Sequence, residues 1–482
     1  MYIWFTHMKK IPSEIEKTFK SIRKEQQGCV ELKIIKNSYC VRRATSIWDK
    51  KLKKVRKITE HLGVIALDGT FKRKIPRRGV RETTREIFEY GNGLLAHHML
   101  RNVEEILSRT TPYSTELVTY AVIKAIDPKP IRLLSSRWEK LYLSNEMDVS
   151  LSPKNISSVL NRVGAEVSLW YELFSKLISE GDIILYDLTA VLTYSETIKI
   201  AEKGRNRDHS YLNQIGVVLA FSTSTGLPVG VEVFPGSMRD ITTIRDFRKR
   251  FPKKEFGFIF DKGFSSYTLL DDLREDRTHY LVPLKKNSVY MDTRWLRWKG
   301  PFVYRGRHVL CAKKKSDYGV TYFFDDPKVR GGQETALLKS VKKGTITLEE
   351  FEEKRKLAGI IGIISDLDRD GEDVYDLYKS REDVELAFDA LNNAIDSDKT
   401  YLRTEEGVRG YYFVSFIALR IYFGILRRLR EKELTSKISV EEVMFELSKV
   451  MKIREKNGKE YFAKIPKKAR KIMDIFPEVF YK

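Results

Sequence analysis

The chain has 482 residues, 42% of them hydrophobic and 11% aromatic, and a formal net charge of +22. That is enough apolar material for a full core and roughly two to four domains, and the charge points to a polyanionic partner held by phosphate neutralisation and counterion release. Three cysteines without a CxxC pair argue against a disulfide scaffold or a structural zinc site, and a start (MYIWFTHMKK) without an apolar signal region argues against secretion.

Residues 1–80 hold 21 Lys and Arg against 7 Asp and Glu. Within them CVELKII, YCVRRATSIWD and KKVRKITEHLG alternate like strands, which predicts a basic, β-rich region built on a hairpin or small sheet. Residues 81–178 turn helical, with 3.6-residue periodicity in LLAHHMLRNVEEIL, TELVTYAVIKAI and IRLLSSRWEKLYL. Ser152-Pro153 supplies an N-cap and first turn for KNISSVLNRV. That helix reads equally as the recognition helix of a helix-turn-helix or as a plain bundle helix.

Residues 179–285 predict the order βββαβαβ. IILYDLT, QIGVVLAFS and LPVGVEVFP are strands, the last two joined by TSTG; RDITTIRDFRKRF is a helix, FGFIFD a strand, SYTLLDDLRED a helix and HYLVPLK a strand. Residues 286–357 read as a β-rich insertion, with strands at GPFVYRGRHVLCAK and VTYFFDD and a charged helix at TLEEFEEKRKLAG. Residues 358–425 resume with the strand AGIIGIISDL and one long helix, DVYDLYKSREDVELAFDALNNA. The tail from Glu405 is expected to be helical; its run YYFVSFIALRIYFGIL carries Arg420 inside it and reads as a buried helix, not a membrane span. Residues 426–482 form a basic helical end, so most of the excess positive charge lies at the two termini and the middle is nearly neutral. That suits a domain that must gather carboxylates.

Three carboxylates stand out in that middle. Asp187 ends the apolar run IILYD, Asp261 ends FGFIFD, and Glu385 follows Tyr378 and Arg381 at steps of three and four, along one helical stripe. Two strand-borne aspartates followed by a helix-borne glutamate are how an RNase H-like fold assembles a two-metal site. The expected fold is therefore α/β: an RNase H-like core, with a mixed five-stranded sheet and flanking helices, interrupted by the insertion. Phosphodiester chemistry needs an activated oxygen and offset charge on the phosphate, and two Mg²⁺ or Mn²⁺ ions about 4 Å apart supply both. Hard cations want carboxylate oxygens. Asp187 would bridge both ions, Asp261 would hold one and Glu385 the other. On so basic a chain, this chemistry predicts cutting or joining of DNA.

The neighbours carry paired readings. Arg381 is expected on a phosphate or DNA end, with an ion pair to a neighbouring carboxylate such as Asp187 or Glu385 as the plainer alternative. Tyr378 would hydrogen-bond a terminal phosphate or simply pack. Asp208 and His209, in GRNRDHSYLNQ, would line a DNA groove or orient a water, against a solvated loop. Trp295 and Trp298 would stack on a flipped base or fill core. Glu382 rivals Glu385 but lies off the stripe, and Asp240 reads as the acidic start of a helix.

At these residues the sequence resembles the DDE transposases of prokaryotic insertion sequences, in the IS-four-like group. That signature is Tyr, two residues, Arg, three residues, Glu, six residues, Lys, and here it reads Tyr378, Arg381, Glu385 and Asn392. Supporting blocks are YDLTAVLTYSE, GRNRDHSYLNQIGVVLAFSTSTGLPVGVEVFPGSMRD, FDKGFSS and GVRGYYFVSFIALRIY. The resemblance covers about residues 180–425. It implies an RNase H-like core with an inserted, mostly β domain, divalent-metal cleavage at the terminal inverted repeats, synapsis as a homodimer and strand transfer into double-stranded target DNA. It also implies a cytoplasmic, nucleoid-associated protein with no membrane partner. Asn392 departs from the signature Lys; Lys262 or Arg403 would then supply the missing cation, Lys399 lying one heptad beyond. Two other readings stay open: a related metal-dependent nuclease without strand transfer, and a DNA-binding protein descended from a transposase.

Overall fold

The computed structural model describes residues 11–26, 28–35, 38–49, 54–74, 85–193, 198–203, 213–238, 240–251, 254–264, 266–294, 296–395 and 402–481. The chain divides into two compact units, Met1–Glu86 with Glu455–Lys459, and Ile87–Arg454 with Glu460–Lys482.

In the first unit the predicted strands pair as an antiparallel meander, β1 (Cys29–Ile35), β2 (Ser38–Asp49), β3 (Lys54–Ile65) and β4 (Phe71–Arg73), in that order. The helix Ser13–Glu25 carries Glu14 and Glu16 in its first turn and Arg23 and Lys24 in its last, complementing its dipole. It buries Ile15 and Ile22 in a small core with Val30, Val41 and Ile65.

β5 (Arg85–Glu89) precedes the helices Gly91–Met99, Arg101–Thr110, Ser114–Ile126, Pro153–Ala165 and Val167–Leu177. The Ser152 hydroxyl caps the fourth of these, accepting from the Asn155 amide at 3.3 Å, with Pro153 in the first turn. The sheet follows: β6 (Asp182–Thr193), β7 (Asn213–Ser222), β8 (Pro228–Pro235), β9 (Phe256–Ile259), β10 (His279–Pro283), β11 (Pro301–Tyr304), β12 (Arg307–Ser316), β13 (Gly319–Asp325) and β14 (Ile360–Ser365). Among the described residues these make one mixed sheet ordered β11-β12-β13-β14-β10-β9-β6-β7-β8. β6, β9 and β10 run parallel; every other neighbour is antiparallel.

The expectation of five strands is corrected here. β14 pairs with β10, and the insertion strands β11–β13 pair onward from β14. The insertion thus lengthens the sheet, and its backbone donors and acceptors satisfy an edge that would otherwise stand open. Its first hairpin turns at Arg305-Gly306, both at positive φ (47° and 77°), between the paired Tyr304 and Arg307. That geometry matches the right-handed strand twist.

Two further expectations change. The single helix read over DVYDLYKSREDVELAFDALNNA is divided into Gly371–Lys379, Glu382–Asp389 and a π-helical turn, Ala390–Ala394. The break falls at Ser380, whose hydroxyl donates to the Leu377 carbonyl at 2.6 Å, a local bond that competes with helix continuation. The tail is not wholly helical either: β15 (Met451–Glu455) and β16 (Glu460–Phe462) form a hairpin around Asn457-Gly458, and Gly458 has φ +81°. Asn-Gly between strand-like residues is a strong short-range hairpin signal.

The helix Glu405–Glu431 runs through the core of the second unit, with Thr404 as N-cap. Arg420 is buried within it and its Nη1 donates to the Pro228 carbonyl. It crosses Pro153–Ala165 at Gly164 and Gly410. A Cβ at Gly164 would strike the Glu406 carbonyl, and one at Gly410 the Leu160 carbonyl, so the crossing requires both glycines. Among the described residues no helix is long and apolar enough to cross a membrane.

Candidate active site

Asp187 lies within β6, which continues to Thr193 and sets Asp187 opposite Leu219 of β7. β6 also pairs in parallel with β9, Leu185 standing opposite Ile259. Two residues further along both chains stand Asp187 and Asp261. Side chains repeat with period two, so a continuation of this register by two residues would turn both carboxyls to the face of Leu185 and Ile259. The Leu188 amide donates to Asp187 Oδ1 at 3.0 Å. Asp261 stands two residues past the end of β9, after Phe260, whose amide donates to the Leu281 carbonyl at 3.3 Å.

Glu385 stands in the first turn of Glu382–Asp389, where the helix dipole favours anions. This helix lies against β6 and β7. Two ion pairs fix it: Arg430 Nη2 to Asp383 Oδ1 at 2.6 Å, and Arg305 Nη1 to Glu382 Oε2 at 2.7 Å. Glu382, the rival carboxylate, is thereby engaged with the β11–β12 turn. Asp240 opens the helix Asp240–Lys249, the position expected of it.

Arg381 Nη2 reaches Asp261 Oδ1 at 2.8 Å. It pairs with a neighbouring carboxylate, as in the plainer reading, and that carboxylate is Asp261. Its guanidinium also lies 5.8 Å from the centre of the Tyr378 ring. Burial pushes the Tyr378 phenol above its ordinary pKa; Arg381 opposes this, while the Asp261 and Glu385 carboxylates add to it. These four side chains therefore share one electrostatic neighbourhood. Their acids are the hard oxygen donors that Mg²⁺ or Mn²⁺ takes, and Asp261 already holds a cationic group. Among the described residues no three carboxylate, imidazole or thiolate side chains are gathered closely enough to enclose an ion.

The cationic candidates are more dispersed. Lys262 is exposed, in the short turn Lys262–Phe264 after Asp261. Arg403 is exposed just before the N-cap Thr404. Trp298 is half-buried and packs against the core. Asn392 lies in the π-helical turn, and its Oδ1 is buried without a hydrogen-bond partner among the described residues. Asp208, His209, Trp295 and Lys399 lie outside the described residues.

One cation escaped the sequence reading. Lys286 donates to the Leu357 carbonyl at 2.5 Å and to that of Ile360. Burial, then the nearby charge of Lys262, lowers its pKa to about 8. The available signal was the pair Lys285-Lys286 directly after the strand HYLVP.

The curated proteins searched contain no match to the sequence. Among solved structures, a cryo-EM structure of the piggyBac transposase synaptic complex with hairpin DNA is similar over 74% of this chain and 80% of its own. The identity is 11% and the TM-score 0.37. The family described as transposase DDE domain matches residues 178–421, just over half of the 482 residues. On that match the chain belongs to the transposase DDE domain family.

Proposed function

We propose that this protein is a cut-and-paste DNA transposase that binds the ends of a mobile element, cleaves there and joins the freed 3′-OH ends to target DNA. The observation that supports the reading is the β6–β9 register, whose last pair stands two residues before Asp187 and Asp261 on their strands, with the helix of Glu385 lying against β6. The strand order β8-β7-β6-β9-β10, with β7 reversed and β9 and β10 parallel to β6, supports an RNase H-like core.

Asp187, Asp261 and Glu385 would hold two Mg²⁺ or Mn²⁺ ions, which when bound supply nucleophile activation and charge compensation. In the first step water attacks the phosphorus at the element end; the P–O3′ bond breaks, leaving a 3′-OH and a 5′-phosphate. In the second, that 3′-OH attacks a target phosphodiester, and one P–O bond replaces another. Arg381 would exchange Asp261 for a phosphate, which its planar fork can grip through two hydrogen bonds. Tyr378, with its raised pKa, stays protonated and donates to a phosphate oxygen. Lys262, Arg403 and Trp298, together with Asp208 and His209, would contact the DNA, as would the basic residues 1–80 and the helical residues 81–178. The partners are double-stranded DNA and a second copy of the chain in a synaptic dimer, in a cytoplasmic, nucleoid-associated setting.

Asn392, where the resemblance leads one to expect Lys, favours a second reading, a DNA-binding descendant that no longer cleaves. Incubating the protein with a supercoiled plasmid bearing the element's own ends and Mg²⁺ or Mn²⁺ separates the two. Metal-dependent release of the element by wild type, absent in Asp187→Ala and Glu385→Gln, supports the transposase. Tight, salt-sensitive binding to the ends with no cleavage under either metal supports the descendant.

A further inference from the structure

The meander of the first unit is unevenly supported. β1 pairs with β2 only as far as Ala44, and β4 pairs with β3 only at Gly63, Val64 and Ile65. The small core under the helix Ser13–Glu25 takes Val41 from β2 and Ile65 from β3, which lie in this supported part. Beyond Ala44 the two long strands go on together, from Thr45 opposite Ile58 to Asp49 opposite Lys54. Among the described residues no third strand joins them there.

This two-stranded ribbon is open on both faces. Trp48 stands opposite Val55 and Ser46 opposite Lys57 on one face, and Thr45 opposite Ile58 on the other. All six are exposed, Trp48 by 61% and Val55 by 63%. A lone two-stranded hairpin is marginal in water. One that carries a tryptophan near its outer end, with core on neither side, is built to be covered by something else. The charge says by what. From Arg42 to Lys57 the sequence holds eight Lys and Arg against one acidic residue, Asp49. Arg43 pairs with Glu60 at 3.4 Å and Lys57 with Glu31 at 2.8 Å, but these pairs are open to solvent and exchange readily for phosphate. A second copy would set two ribbons of like charge against each other, whereas a polyanion is neutralised by them.

Shape narrows the partner further. The major groove of B-DNA, about 12 Å wide, admits a two-stranded ribbon, and the minor groove, about 6 Å wide, does not. We propose that the outer half of the β2–β3 hairpin lies in the major groove of duplex DNA. Trp48 and Val55 face the base edges there, and the basic residues along both strands face the phosphates. The inference rests on the DNA-binding part of the proposed function and gives it a place and a mode: an arm of strands, with an apolar tip and a charged rim.

The test is fluorescence anisotropy of a labelled duplex bearing the element's own end, titrated with the full-length protein in EDTA so that no cleavage intervenes. Trp48→Ala should weaken binding about tenfold, the worth of taking an exposed indole out of water, and Val55→Ala about two- to threefold. Trp48→Phe should recover most of the loss. Neither substitution removes a charge, so the slope of log affinity against log salt should stay as in wild type. Both side chains are exposed, and unchanged circular dichroism shows that the variants fold. Methyl green, which occupies the major groove, should erase the difference between wild type and Trp48→Ala, and netropsin, which occupies the minor groove, should leave it. Binding that neither substitution weakens, a difference erased by netropsin instead, or a Trp48-dependent dimer in sedimentation without DNA overturns the proposal and leaves the transposase reading standing. No binding of wild type to the duplex overturns both.

Discussion

The two strand-borne aspartates and the helix-borne glutamate are set in the fold by different means. Asp187 is held by the ladder to β7, two residues past the last pair of β6 with β9, and Asp261 follows the Phe260 amide's bond to the Leu281 carbonyl of β10. Glu385 stands on a segment that changes helical form twice within 25 residues, at Ser380 and again at Ala390. The strands cannot shift without breaking many hydrogen bonds together. The short helix is pinned chiefly by side-chain pairs, Arg430 to Asp383 and Arg305 to Glu382. Mid-helix departures from α geometry are frequent at functional sites. On the proposed reading, two acids set by strands and an adjustable third would let one site accept successive substrates.

Substituting the carboxylates should have the largest effect. Asp187→Ala and Glu385→Gln should each lower metal-dependent cleavage by more than about a hundredfold, since even groups that only orient a metal's ligands are worth 10–100-fold. If Glu385→Gln retained near-normal cleavage, the helix would not deliver the third acid and the comparison would fail. Next comes the frame that supports the strands. Gly410→Ala would force a methyl into the Leu160 carbonyl of the crossing helix, an overpacking expected to cost about 1–3 kcal/mol. A fall of several degrees in the thermal midpoint by scanning calorimetry is the check. Ala390→Gly, in the π-helical turn, should cost less, about 1 kcal/mol, if that segment is the softer one.

Much of this architecture was legible in sequence, and the reasons differ by element. The run βββαβαβ was visible because β6, β7 and β9 are buried on both faces and read as continuous apolar stretches. The Ser152-Pro153 cap was visible because its chemistry is local. The joining of β14 to β10 was not, since pairing between residues some 80 positions apart leaves no local trace. The break at Ser380 was hidden because Tyr378, Arg381 and Glu385 keep helical spacing across it. Of the candidate site, the acids and Arg381 were proposed from strand ends and stripe, whereas the Arg381–Asp261 pair depends on where two distant elements meet. Gly164 and Gly410 showed nothing, because a close crossing appears only when both helices are placed.

Glu232 tests the rigid side by pH. It is 6% exposed on β8, with its Oε2 lacking a partner among the described residues, and burial raises its pKa to about 8. The folded state thus keeps a proton that the unfolded chain releases near pH 4.5. Stability from this group is fully present below pH 4.5, falls as pH rises and is lost by about pH 8. Glu232→Gln keeps the shape without the ionisation. It should be more stable than wild type at pH 8 by on the order of 2 kcal/mol, with the gap closing toward pH 4.5. Denaturant midpoints at several pH values measure this; a gap independent of pH would mean that Glu232 does not titrate in the folded sheet.

The smallest effect belongs to Arg381. Its pair with Asp261 is partly open, Asp261 being 44% exposed at its side chain, so the pair contributes little to stability, within about 1 kcal/mol. Arg381→Ala should therefore leave the thermal midpoint nearly unchanged. If the guanidinium leaves Asp261 to hold a phosphate when DNA binds, cleavage should still fall by about tenfold, the rate equivalent of one charge-assisted hydrogen bond lost from the transition state. Arg381→Lys keeps the charge but not the planar fork, and should recover only part of the loss. Full recovery with Lys would show that a point charge suffices. A loss of stability matching the loss of cleavage would instead make Arg381 a strut for Asp261 and shift the adjustable element elsewhere in the segment.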